Sequence, residues 1–170
     1  LSKGKDEAVI NLMRRESLHI KNLRLYPDTS YYKVKNLKAL NTSYAEYSPA
    51  FSNEKLYFVS NRQSEKIYSG TGTPFTDLYE IKSKGANVDI NSLKKLGENI
   101  NNEKVNEGSI TFSGDGMYMI FAKGNNGKSN GRNNVDLYYS RYRRSGWTNP
   151  RLLNVNTSRS WDSTPYLTKD

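Results

Sequence analysis

The sequence predicts an all-β fold of antiparallel four-stranded units that stack as blades of a β-propeller, preceded by a short helical or irregular N-terminal arm. Three observations predict it. A motif recurs: SPAFSNEKLYFVS (48–60) and SITFSGDGMYMIFA (109–122) align Ser48 with Ser109, Phe51 with Phe112 and Ser52 with Ser113, and STPYLTKD (163–170) starts the pattern again. A chain that repeats itself is read as a repeat architecture first. The apolar runs alternate with period two: Leu56 and Phe58 oppose Tyr57 and Val59, and Met117, Met119 and Phe121 oppose Tyr118 and Ile120. Both faces are apolar, so each strand is expected to be covered on both sides. Finally, each hairpin is followed by a matched strand, DLYEI at 77–81 and DLYYS at 136–140, and then by an outer run, giving four strands in a repeat of 55–61 residues.

Residues 1–30 lie outside this pattern. In DEAVINLMRRESL, Val9, Leu12, Met13 and Glu16 fall at helical spacing with Asp6 as candidate cap, so a short helix or irregular arm is expected. Residues 31–170 form the partial propeller. Residues 31–45 read as the end of a preceding blade, because YKVKNLKALNTS closes on the NTS that returns at 156–158. Residues 46–101 are the first full blade. Its hairpin sets Phe51 and Phe58 seven positions apart around a turn without glycine. Residues 102–156 are the second blade, with Phe112 and Phe121 nine positions apart around Asp115-Gly116, a strong hairpin signal and a tip two residues longer. Its outer run matches the first at Asn101 and Asn156. Residues 157–170 start a further blade. Blades bury their faces against neighbours, so open ends are expected to be covered by another chain or by oligomerisation.

The composition narrows the function classes. The hydrophobic fraction is 35%, offset by 13 Tyr, 5 Phe and 2 Trp, which suits strands whose side chains keep one wet end. Without cysteine, disulfide scaffolds and thiolate metal sites are excluded. No apolar run approaches the roughly 20 residues of a membrane-spanning helix. LSKGKDEAVINLMRR lacks the apolar centre of a signal peptide, so any export signal is expected upstream of Leu1 or already removed. The net charge of +9 divides as +5 over residues 1–40, zero over 41–100 and +4 over 101–170. That spread fits a solvated basic surface, or an anionic partner such as a cell-wall polymer, a membrane surface or nucleic acid.

Catalytic chemistry has little support. The single histidine, His19, lies in the arm, and no Gly-x-Ser-x-Gly is present. FSGDGMY departs from the Ser-x-Asp-x-Gly-x-x-Trp of sialidase propellers and reads as a turn. GTGTPF (70–75) lacks the Lys-Ser/Thr of a phosphate loop. GNNGKSNGRNNVD is rich in oxygen donors but has Asp136 as its one carboxylate, a thin basis for calcium. Asp77 and Asp136, which open the matched strands, are expected to cap turns. No metal and no cofactor is expected. The densest aromatic and basic stretch is DLYYSRYRRSGW, with Tyr139, Arg141 and Arg143 on one face and Tyr138, Ser140, Tyr142 and Arg144 on the other. Candidate binding residues are Tyr142, Arg143, Arg144 and Trp147 in that stretch, and Arg62 at the start of the first polar loop. The loops at 62–75 and 123–134 differ most between copies and are candidate contact patches.

NTSYAEYSPAFS, LYF and DLY in one copy, with GSITFSGDG, DLYYS and GWTNPRLLNVNTS in the other, resemble the WD40-like, TolB-type propeller repeat of bacterial envelope proteins over roughly residues 32–170. In Bacteroidota-like bacteria such repeats precede an OmpA-like peptidoglycan-binding domain, and some belong to type IX secretion and gliding complexes. The resemblance therefore implies a non-enzymatic scaffold or protein–protein binding module, periplasmic or outer-membrane-associated. Its partners would be other envelope proteins or further blades, with peptidoglycan reached through a domain outside this chain. A propeller enzyme acting on glycans or peptides is the alternative, and a nucleic-acid binder a weaker one. Basic groups spread over loops and arm, without a recognition helix, argue against nucleic acid.

Overall fold

A computed structural model describes residues 3–25, 34–62, 64–125 and 135–168. The chain divides into two units, Leu1–Lys35 and Asn36–Asp170. The first holds one helix, α1 (Lys3–Leu25). At 23 residues it is longer than the short helix expected within the arm, and it starts before Asp6, the expected cap position, which lies inside it. Helix formers such as Glu7, Ala8, Leu12, Met13, Arg14, Arg15 and Glu16 make up much of its middle. Val9, Ile10, Leu12, Met13, Leu18 and Ile20 are exposed along it. No described helix is long and apolar enough to cross a membrane.

The second unit is antiparallel β. Its first sheet contains β1 (Glu46–Ser52), β2 (Lys55–Ser60), β5 (Asp77–Lys84), β6 (Asn87–Val88) and β7 (Lys94–Lys95). A small hairpin of β3 (Ile67–Tyr68) and β4 (Thr73–Pro74) interrupts the loop after β2. The second sheet contains β8 (Asn106–Phe112), β9 (Tyr118–Gly124), β10 (Asp136–Arg143), β11 (Gly146–Trp147) and β12 (Arg151–Leu152). The strand orders are the same: β1-β2-β5-β6 with β7 also on β5, and β8-β9-β10-β11 with β12 also on β10. The outer run, expected as one strand, is two short ones in each sheet. A 3-10 turn at Ile90–Ser92, capped by the Asp89 carboxylate on Asn91 N–H, breaks the first. Pro150, which has no N–H to donate, precedes β12 in the second.

Registers show the equivalence. Phe51 pairs with Leu56 and Phe112 with Met119, so the first hairpin is the shorter by two residues. Both hairpins carry a bulge, after Tyr47 and after Gly108, and there Ser48 (φ 51) and Ser109 (φ 36) adopt left-handed backbone. Thr164, aligned with them in the third copy, does the same at φ 57.

One core lies between the sheets: Tyr57, Val59 and Leu78 from the first meet Ile110, Met119 and Phe121 from the second, with Leu96 and Ile100 beside them. A second covers the other face of the first sheet, where Leu56, Phe58, Tyr79 and Ile81 pack under Leu40, with Leu37 and Leu93 at its margin. Alternation thus feeds two cores from one strand, each fully buried aliphatic side chain worth ~1.5–3 kcal/mol.

Candidate functional site

Three arrangements concentrate polar chemistry. The first is a latch that recurs with the repeat. Asn101 accepts from Leu78 N–H at 2.8 Å and donates to the carbonyls of Leu78 (3.0 Å) and Leu96 (2.8 Å). Asn156 makes the same three bonds, to Leu137 N–H (2.7 Å), Leu137 O (2.8 Å) and Leu153 O (2.9 Å). The next residue then donates its N–H to a carboxylate: Asn102 to Glu107 at 3.0 Å and Thr157 to Asp162 at 2.7 Å. Thr42, following Asn41, donates likewise to Glu46 at 3.1 Å. Glu46, Glu107 and Asp162 each stand two residues before the left-handed Ser48, Ser109 or Thr164. Successive units are also tied by backbone bonds of one kind, Glu107 N–H to Thr76 O (3.0 Å) and Asp162 N–H to Val135 O (2.8 Å). The Asn101–Asn156 match is visible in the sequence. The acids were missed, although an acid two positions ahead of the aligned Ser or Thr in all three copies was the signal available.

The second arrangement is a set of buried charges. Burial pushes the Glu46 carboxyl up, but the Thr42 hydroxyl and N–H and the Arg62 guanidinium outweigh it and hold it below its usual value. Glu107 is 0% exposed; burial pushes it up to about 8 against the pull of Lys123, whose Nζ lies 3.1 Å away. Its Oε2 has no partner among the described residues. Asp77 is raised by burial as well, against Lys95 at 2.8 Å. Asp77 is therefore a buried ion-pair partner at the head of β5 and not a turn cap. A carboxyl held protonated near neutrality suits a general acid, but Glu107 is sealed from any substrate atom.

Arg62 separates from the other predicted binding residues, two of which, Arg143 and Trp147, line one groove. Arg62, expected on an exposed loop, is 5% exposed. Its Nη2 donates to Leu40 O (2.7 Å) and Glu46 (2.8 Å), its Nε to Ser60 Oγ (3.1 Å), and its guanidinium lies 5.0 Å from the Phe58 ring centre. These donors face inward and the residue is buried, so Arg62 is a strut and not a contact residue. The Tyr79 hydroxyl, pushed up to about 12 by burial, donates to Arg62 O. Trp147 packs at the sheet interface, 5.9 Å from Phe112 and 6.5 Å from Tyr57, with Tyr142 edge-on at 5.0 Å. Arg143 and Arg144 are exposed at the β10–β11 turn. The loop at 62–75 is not simply polar: it holds β3–β4 and the buried Phe75. Of the 123–134 patch, residues 126–134 lie outside the described residues, as does most of the oxygen-rich loop. Among the described residues no group of three His, Asp or Glu is placed to hold a metal ion.

The third arrangement is a groove of about 520 Å³ on the face of the second sheet turned away from the shared core, lined by Tyr118, Tyr139, Arg141, Arg151 and two of the predicted binding residues, Arg143 and Trp147, among others. It brings together the Tyr139, Arg141 and Arg143 face read from the sequence and adds Tyr118 from β9 and Arg151 from β12. Thr148 fixes its floor, accepting from Arg141 N–H (3.1 Å) and from the Ser140 hydroxyl through its carbonyl (2.6 Å). The Arg141 guanidinium lies 5.5 Å from the Tyr118 ring centre. Arg141, Arg143 and Arg151 form no ion pair with a described residue.

No protein-family model matches this chain, and no curated protein or solved structure is significantly similar to it. Fold and sites define a class all the same: an antiparallel β protein with a duplicated sheet, whose copies are joined by a recurring asparagine–carboxylate latch.

Proposed function

We propose that the chain is a non-enzymatic scaffold whose sheets stack as blades of a propeller and present loops and edges to protein partners. The observation that carries this is the threefold recurrence of the carboxylate latch followed two residues later by a left-handed residue, at 46/48, 107/109 and 162/164. A device repeated at each junction is what nearest-neighbour stacking requires. The envelope location and the secretion or gliding context rest on the repeat's resemblance alone. The test is hydrogen exchange on Asn101→Ala. Under this proposal amides of both sheets lose protection together, because the latch joins β5 to the segment that leads into β8. Loss confined to β5 and β7 would count against stacking as the organising function. Substrate turnover that survives this substitution would favour the enzyme reading.

A further inference from the structure

The first sheet shows what the second lacks. On its inter-sheet face Glu80 is 4% exposed and held by Lys55 (3.0 Å) and Lys94 (3.1 Å). The registers place the second sheet's residues on these positions one by one: Glu80 pairs with Lys94 as Tyr139 pairs with Arg151, and Lys55 with Lys82 as Tyr118 with Arg141. Of the two cations that hold Glu80, Lys94 is thus kept as Arg151 and Lys55 becomes Tyr118; Arg141 stands where Lys82 does, and the carboxylate itself is replaced by Tyr139. Arg141 acts on Asp115. Its carboxylate is engaged first by the Ser113 hydroxyl (2.5 Å) and Met117 N–H (2.9 Å), and Arg141 contributes least.

We infer that this groove binds an extended acidic peptide, whose carboxylates take the place that Glu80 fills in the first sheet. This rests on reading the chain as a protein-binding scaffold and names the partner's chemistry, with a peptide of the partner taking the place of a further sheet on the face that corresponds to the first sheet's inter-sheet face. Guanidinium forks match carboxylates in bidentate geometry. Arg141 and Arg143 lie two residues apart on one strand face, so their Cα atoms are separated by ~6.8 Å, the spacing of acidic side chains at alternate positions of an extended peptide. Single-stranded nucleic acid also carries regular charge, but it needs free aromatic faces for its bases. Here Arg141 covers one face of Tyr118, and Trp147, which lines the groove, also packs against the shared core.

The test uses the whole chain and a fluorescent peptide of about ten residues alternating Glu and Thr, with its Gln-for-Glu counterpart, an oligothymidylate and an oligogalacturonate as comparators. Saturable anisotropy binding of the acidic peptide is expected, weakened by salt and lost by about tenfold or more when Arg141→Gln and Arg151→Gln are combined. Tyr139→Glu, which restores the internal carboxylate, should also abolish binding. The two arginines are exposed, so the double variant keeps the test sharp if Tyr139→Glu does not fold. No binding by the wild type, equal binding of the Gln peptide, tighter binding of either polyanion, or an indifferent double variant overturns the inference. The scaffold reading falls separately, through uncoupled sheets in Asn101→Ala.

Discussion

Gly116 sits at φ +67 in the β8–β9 turn, and a Cβ there would meet Asn53 Nδ2 at 2.4 Å and Ser52 Oγ at 2.8 Å. The turn of the second hairpin thus rests on the turn of the first, with Asn53 Nδ2 3.5 Å from Gly116 O. The two obstructing atoms end short side chains that can rotate, so the left-handed backbone dominates the cost. Gly116→Ala is expected to destabilise the second unit by about 1–3 kcal/mol, read by urea unfolding. The latch asparagines make a sharper case. Asn101→Ala orphans one N–H and leaves two carbonyls short of a partner in a site 4% exposed, whereas Asn156 makes the same bonds half-buried. At about 1–3 kcal/mol for an orphaned buried group, Asn101→Ala is expected to cost more than Asn156→Ala. Equal losses would show that solvent does not relieve the second site.

Strand β8 carries a titration of unusual sign at its start. Glu107 is raised from 4.5 to about 8 by burial. The folded state therefore binds this proton more tightly than the unfolded chain. Its contribution to stability is fully present below pH 4.5 and is lost as pH rises through about 8. Glu46 and Glu80 are lowered, so their contributions run the other way and are lost in acid. Glu107→Gln, which imitates the protonated carboxyl, is expected to flatten the decline between these pH values, so that its melting temperature gains on the wild type's as pH rises. A constant difference across that range would show that Glu107 is ionised throughout, held by Lys123. The strands themselves were legible because alternation and the matched DLY runs are local signals: β2, β5, β9 and β10 follow from them directly. The split of the outer strand was not, since it depends on a capped turn at Asp89 and on Pro150 falling where a donor is needed. Nor was the burial of Arg62, Asp77 and Glu107, because a charge in a polar stretch looks solvated until a distant cation, anion or carbonyl is brought to it. Arg62 needs Leu40 and Glu46, and Glu107 needs Asn102 and Lys123. The groove was half legible: one strand's face could be read, but not that Tyr118 and Arg151 would complete it.

At the scale of the whole second unit, the question is whether two sheets of the same topology are two folding units or one. Each is local in sequence, which would allow separate folding. Their shared core argues otherwise, because Val59 and Leu78 on one side and Met119 and Phe121 on the other are each 0% exposed and reach that state only against each other. Neither sheet has a substitute cover for that face among the described residues. Phe121→Ala removes the largest of these side chains, at a cost of about 3–5 kcal/mol. Because the cavity opens between the sheets, the loss should fall on both. Trp147 reports on that boundary through Tyr57 and Phe112, and Trp161→Phe leaves it as the single tryptophan. In that background, Trp147 fluorescence and the far-ultraviolet β signal are expected to change at one denaturant midpoint, and Phe121→Ala to move both equally. A fluorescence transition that precedes loss of β signal would mean that the sheets part before they melt. The recurring latch would then join two independently stable units and would not fuse them into one.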